Sequence, residues 1–156
     1  KMELKDFKNL YSELGKKYDL PSFKELNENF EIEKIERHSE TLLRAIRKVM
    51  MEKILSSLGF VEMLLNPMNA PRMYLSYIRS IGQEDRECID KIYSSFSEVS
   101  VLALDAEIDY SEKTEAELIK KILVTWKKAQ PEFRKILTKM KIPSNSKAKK
   151  ERSYFG

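Results

Sequence analysis

At 156 residues, 42% hydrophobic and 35% charged, the chain is long enough for one domain with a continuous core, and four glycines and five prolines are too few for a many-stranded sheet. A single cysteine, Cys88, excludes an intramolecular disulfide, and one histidine cannot complete the usual zinc ligand sets. No stretch approaches the roughly 18 apolar residues of a membrane span and Lys1–Asp6 has no signal-peptide core, so the expected protein is soluble and cytoplasmic, with no membrane partner.

Leu4, Phe7, Leu10, Tyr11 and Leu14 recur at spacings of three and four, predicting a first helix that Gly15 closes with a left-handed cap. Ser22, three residues before Glu25, has the capping-box spacing and opens a short second helix through about Asn29. Over residues 32–65, Ile32, Ile35, Leu42, Ile46, Val49, Ile54, Leu58, Val61 and Leu65 drift around one face, predicting the longest helix, with Gly59 a candidate bend. Pro67 and Pro71 then break the chain. Pro71 suits the first turn of a helix on which Tyr74, Tyr77, Ile78 and Ile81 share a face opposite Arg72, Ser76 and Arg79, and which Gly82 ends. The two tyrosines read as a core stripe rather than as a base-stacking platform.

From Glu84 to Tyr110, the positions Ile89, Ile92, Phe96, Val99, Ala103, Ala106 and Tyr110 step by three and four, the seam of a bundle helix. Leu102, Leu104, Ala106, Ile108 and Tyr110 also alternate like a half-buried strand, but no second strand is available to pair with one, so helix is expected. Ser111 is the expected N-cap of the last helix, with Glu112, Glu115 and Glu117 near the positive end of its dipole. Its seam is Ile119, Ile122, Trp126, Ala129, Phe133, Ile136 and Met140, and Pro131 implies a kink or two collinear helices. The expected fold is all-α: a single helical bundle of about five to seven helices over residues 2–142, with three long amphipathic helices and a basic C-terminal tail over 143–156.

Charge is strongly polarised along the chain. Residues 84–117 carry eleven acids and three bases, net −8, and residues 118–156 carry twelve bases and two acids, net +10. With the last seam written as heptad positions a and d, Lys120, Lys127, Arg134 and Lys141 fall at b and Lys121, Lys128 and Lys135 at c. This ladder is expected to face solvent, because only Lys139 among the e and g positions is basic and neutralisation by the acidic helix would act there. Spaced cations of this kind neutralise phosphates with little sequence preference. The tail adds Lys147, Lys149, Lys150 and Arg152, with Tyr154 and Phe155 able to stack on unpaired bases.

No catalytic constellation emerges. His38 has Lys34, Ile35, Thr41 and Leu42 as helical neighbours, and the acidic stripe Glu98, Asp105, Asp109 and Glu112 reads as a solvated face rather than a metal site. Cys88 lies among Glu84, Asp85 and Glu87, which disfavour a thiolate, and the four glycines are isolated, so no phosphate-cradling loop exists. The sequence therefore suggests a non-enzymatic helical binding protein without cofactor or metal. Its expected partner is RNA, DNA or a ribonucleoprotein; the alternative is a protein-interaction or assembly module whose basic face serves solubility.

Overall fold

The computed structural model describes the backbone of residues 2–36 and 41–154, and the side chains in those ranges up to Lys141 apart from Asn69. Helix α1 spans Leu4–Tyr18 and buries Phe7 and Tyr11. Gly15 does not end it: the left-handed cap is Asp19, at φ 54°, whose N–H reaches the Gly15 carbonyl. The extra turn presents Lys16 and Lys17 to the negative end of the dipole and places Tyr18 against the core, two gains that a stop at Gly15 would forfeit. Helix α2, Phe23–Phe30, opens as its capping box predicts, with the Glu25 N–H donating to Ser22 Oγ at 3.1 Å.

The long apolar run over 32–65 is not one helix. Glu31 takes a left-handed conformation at φ 53°, Ile32–Lys34 forms a 3-10 turn, and Ile35 is extended. Asn27 Oδ1 accepts from the Glu33 N–H at 3.0 Å and pins that turn. Ile32 and Ile35 are both buried, which is why the apolar period passes through the break unmarked. Helix α3 is Leu42–Leu65, and His38 lies outside the described residues.

Pro71 caps a 3-10 turn over Arg72–Tyr74 that leads into α4, Leu75–Ser80. Ile78 is buried and Tyr74 and Tyr77 are half-buried on the core side, with Arg72, Ser76 and Arg79 exposed. Gly82 serves as the extended N-cap of α5, Gln83–Ile108, so the segment with strand-like alternation is helical. In α6, Glu112–Tyr154, Ser111 Oγ accepts from the Thr114 N–H at 3.4 Å, and the helix is continuous through Pro131 and Pro143. Its backbone is thus helical where a tail was expected; the side chains of Lys147, Lys149, Lys150, Arg152 and Tyr154, and the whole of Phe155, lie outside the described residues.

The architecture is all-α, six α-helices with no strand among the described residues. Helices α3, α5 and α6 pack on one another as a three-helix core. Asp85 meets Lys139, Cys88 meets Glu132 and Glu98 meets Lys121, so α5 and α6 are antiparallel. Arg47 meets Glu115, Lys53 stands over Trp126, and Phe60 shares a cleft with Phe133, so α3 and α6 run parallel. Phe96 is fully buried at the centre, with ring centroids 6.3 Å from Trp126 and 5.9 Å from Phe133. Helices α1 and α2 lie over the first half of the α3/α6 groove, where Phe30 packs on Trp126 and Lys53 donates to the Asn29 carbonyl at 2.6 Å. No helix among the described residues is long and apolar enough to cross a membrane.

Candidate functional site

The cationic ladder of α6 is present but largely engaged. Lys120 donates to the Tyr18 carbonyl at 3.0 Å and pairs with Glu117 at 2.8 Å, while Lys127 pairs with Glu25 of α2. The b positions therefore do not all face open solvent: α1 and α2 flank the first half of that stripe. On the other side, Lys121 reaches Glu98 at 2.5 Å, Lys135 reaches Glu132 at 3.4 Å and Lys139 reaches Asp85 at 2.6 Å. The acidic helix thus neutralises the basic one from c as well as g positions, because α5 sits closer to the c side of α6 than an ideal seam implies. Exposed pairs of this kind contribute about 0–1 kcal/mol each, so what they determine is net surface charge rather than stability. Lys128, Arg134 and Lys141 are exposed, with no ion pair among the described residues.

Cys88 belongs to the α5/α6 groove. Its thiol donates to Glu132 Oε2 at 2.9 Å. Burial first, then the hydrogen bond and negative charge of Glu132, push its pKa up to about 11. Thiolate is therefore scarcer at pH 8 than for a free cysteine by about two orders of magnitude. Iodoacetamide should label Cys88 correspondingly slowly at pH 8, and Glu132→Gln should accelerate labelling; a rate equal to free cysteine in the native protein would contradict this environment.

The acidic stripe does not converge. Glu98 is drawn to Lys121, and Glu112 accepts from the Tyr18 hydroxyl at 2.6 Å and lies 3.5 Å from Lys17. Among the described residues, no group of three or more His, Cys, Asp or Glu side chains could hold a metal ion.

The feature with the clearest unmet requirement lies on the outward side of α5. Val101, Leu104 and Ile108 are 64%, 68% and 79% exposed, and their spacing of three and four aligns them on one stripe. The core face, Phe96, Val99, Ala103 and Ala106, is buried on the opposite side of the same helix. Helix α5 thus carries two apolar seams, of which the bundle uses one. In the register of the second seam, with Val101 and Ile108 at a and Leu104 at d, Glu98 and Asp105 occupy e and Glu107 occupies g.

No family model, curated protein or solved structure matches this chain.

The second notable site is a buried ionic cluster that joins the ends of three helices. Glu115, 0% exposed, accepts from Arg47 Nε at 2.7 Å and Arg47 Nη2 at 2.9 Å, a bidentate pair. Arg44 Nε adds a contact at 3.3 Å, and Arg44 Nη2 donates to the Ala106 carbonyl at 2.8 Å, satisfying one of the last four carbonyls of α5. Arg47 Nη1 also reaches Glu107 at 2.7 Å. The Glu115 hydrogen bond holds the Arg47 guanidinium above its ordinary pKa, and the Arg47 hydrogen bond holds the Glu107 carboxyl below its own. Among the described residues none of its buried polar atoms is left without a partner, so the cluster fixes helix register rather than binding a ligand. Sequence reasoning placed Glu115 only near the helix dipole. Counting the α6 seam back from Ile119 puts Glu115 at d, and Arg47 lies four residues after Leu43 on the core face of α3; opposite charges at two seam positions were the available signal.

Proposed function

We propose that this protein is a non-enzymatic interaction module that docks another protein on the outward seam of α5. The single observation that carries the reading is the stripe of Val101, Leu104 and Ile108, three large aliphatic side chains left mostly in water on one face. Isolated exposed apolar residues are ordinary; three in register along a rigid helix form a patch that is costly to solvate and suited to helix-in-groove docking. Glu98 and Glu107 beside the stripe are already paired with Lys121 and Arg47, so only Asp105, with no ion pair among the described residues, favours a basic flank on the partner.

A second reading has its own support. Lys128, Arg134 and Lys141 are free of ion pairs among the described residues, and α6 continues as a helix through the cationic segment to Tyr154. Those groups are the ones to engage a nucleic-acid or ribonucleoprotein backbone.

One experiment separates the two. Full-length protein and a Leu104→Glu/Ile108→Glu variant are used to recover partners, with and without nuclease, at low and high salt. Both sites are exposed, so each substitution should change stability by no more than about 0.5 kcal/mol, checked by thermal melting. Under the leading reading, a protein partner survives nuclease and high salt with the parent chain and falls by at least about tenfold with the variant. Recovery lost to nuclease and unchanged in the variant would favour the second reading and reject the first.

A further inference from the structure

Helices α1 and α2 cover only part of the α3/α6 groove. Beyond the contact of Phe30 with Trp126, and before Tyr74 packs edge-on against Phe60 at a centroid distance of 6.5 Å, a cleft of about 440 Å³ is left open. Its walls are Phe60 from α3 and Trp126, Phe133 and Leu137 from α6. From Trp126 to Leu137 it follows α6 for about 16 Å at 1.5 Å per residue. The volume falls in the roughly 300–1,000 Å³ range of small-molecule sites. Leu137 is exposed and Phe133 half-buried, so the apolar wall is in water.

Among the described residues, the one charged side chain lining the cleft is a cation. Arg134 lines the cleft and has no ion pair among the described residues, and Gln130 lies one turn before it. Lys53, outside the lining, stands 4.7 Å from the Trp126 ring centroid and is already engaged with the Asn29 carbonyl. The indole N–H of Trp126 has no hydrogen-bond partner but is enclosed, so it contributes no donor to the cleft wall. Among the described residues, no carboxylate lines the cleft. An apolar channel with one unpaired cation in its wall selects against cationic and toward anionic ligands.

We propose that this cleft binds an anionic amphiphile, an alkyl carboxylate whose chain lies along Phe60, Phe133 and Leu137 and whose head group pairs with Arg134. The α5 seam is not needed for it, and of the ladder it uses only Arg134, so it stands or falls apart from the interaction reading.

Trp126 is the only tryptophan in the chain, so its emission reports on the cleft directly. The full-length protein is titrated with decanoate, decan-1-ol and decylammonium, each below its aggregation threshold. Decanoate should give a saturable change and bind at least about tenfold more tightly than decylammonium, and Arg134→Gln should lose about tenfold for decanoate while leaving decanol unchanged. Ser57→Leu, on the α3 wall, should fill the cleft and abolish the response with helical content and melting retained; if that variant folds poorly, the surface substitution Arg134→Gln still decides the matter. A change that never saturates, equal affinity for the three ligands, or indifference to Arg134→Gln would overturn the proposal. So would an emission change on dilution without ligand, since a second copy would then be the occupant.

Discussion

Glu115→Ala is expected to destabilise the fold by about 3–5 kcal/mol, because it leaves the Arg47 guanidinium buried without its bidentate partner. Arg47 is 2% exposed and cannot turn to water without opening the junction of α3, α5 and α6. Its remaining contact, Glu107, is on the rim and cannot replace two aligned hydrogen bonds from inside. In a protein of this size the loss corresponds to a fall in Tm of about 10 °C. The double variant Arg47→Met/Glu115→Leu should recover most of it, since removing both charges removes the desolvation cost together with the attraction. Chemical denaturation of the two variants in parallel tests this: equal losses in single and double variants would show that packing, not ionic pairing, sets the cost. Acid should act in the same direction. The Glu107 carboxyl is held below its ordinary pKa by Arg47, so its contribution is complete above the unfolded-state value near 4.3 and is lost as pH falls through the lower, folded-state value. That contribution is modest because the side chain is 39% exposed.

Phe96→Ala should cost a similar amount, about 3–5 kcal/mol, by a different route. The ring is fully enclosed, lies nearly parallel to Trp126 at an interplanar angle of 27°, and touches Phe133 on the same helix. Deleting it opens a void at the midpoint of the core, where three packed helices restrict collapse. Phe96→Leu should recover about half, and Trp126 emission should shift toward that of exposed tryptophan in the alanine variant. A loss below about 1 kcal/mol for Phe96→Ala would mean that the core repacks freely around this position.

The three long helices and the apolar seams of α5 and α6 were legible because period and side-chain type agreed over many turns. The α2 start was legible for a sharper reason: Ser22 and Glu25 have a spacing that satisfies a specific backbone donor, and that bond forms. What escaped was anything that periodicity does not encode. The break after α2 hid because Ile32, in a 3-10 turn, and Ile35, extended just after it, are buried much as they would be in a helix. The α1 terminus moved from Gly15 to Asp19 because tertiary packing of Tyr18 outweighed a local preference for glycine. The apparent strand alternation through Leu102–Tyr110 was informative in an unexpected way. A helix with apolar residues on both faces yields a near-alternating string, so the ambiguity was itself the trace of the second seam. For the ladder, sequence gave the cations and their spacing but not the lateral offset of α5 that puts Glu98 and Asp85 within reach of them.

The order in which these contacts can form follows from where the chain supplies them. Helices α5 and α6 are adjacent and antiparallel across a short link, so their hairpin needs little loop closure, whereas Arg47 reaches Glu115 across a sequence separation of 68 residues. A guanidinium and a carboxylate gain from leaving water only once their final geometry is available, which requires α3 to have docked. The ionic junction therefore acts as a latch that closes last: its removal should steepen escape from the native state while leaving the folding rate nearly untouched, and the lifetime of the folded chain, more than its ease of formation, depends on Glu115.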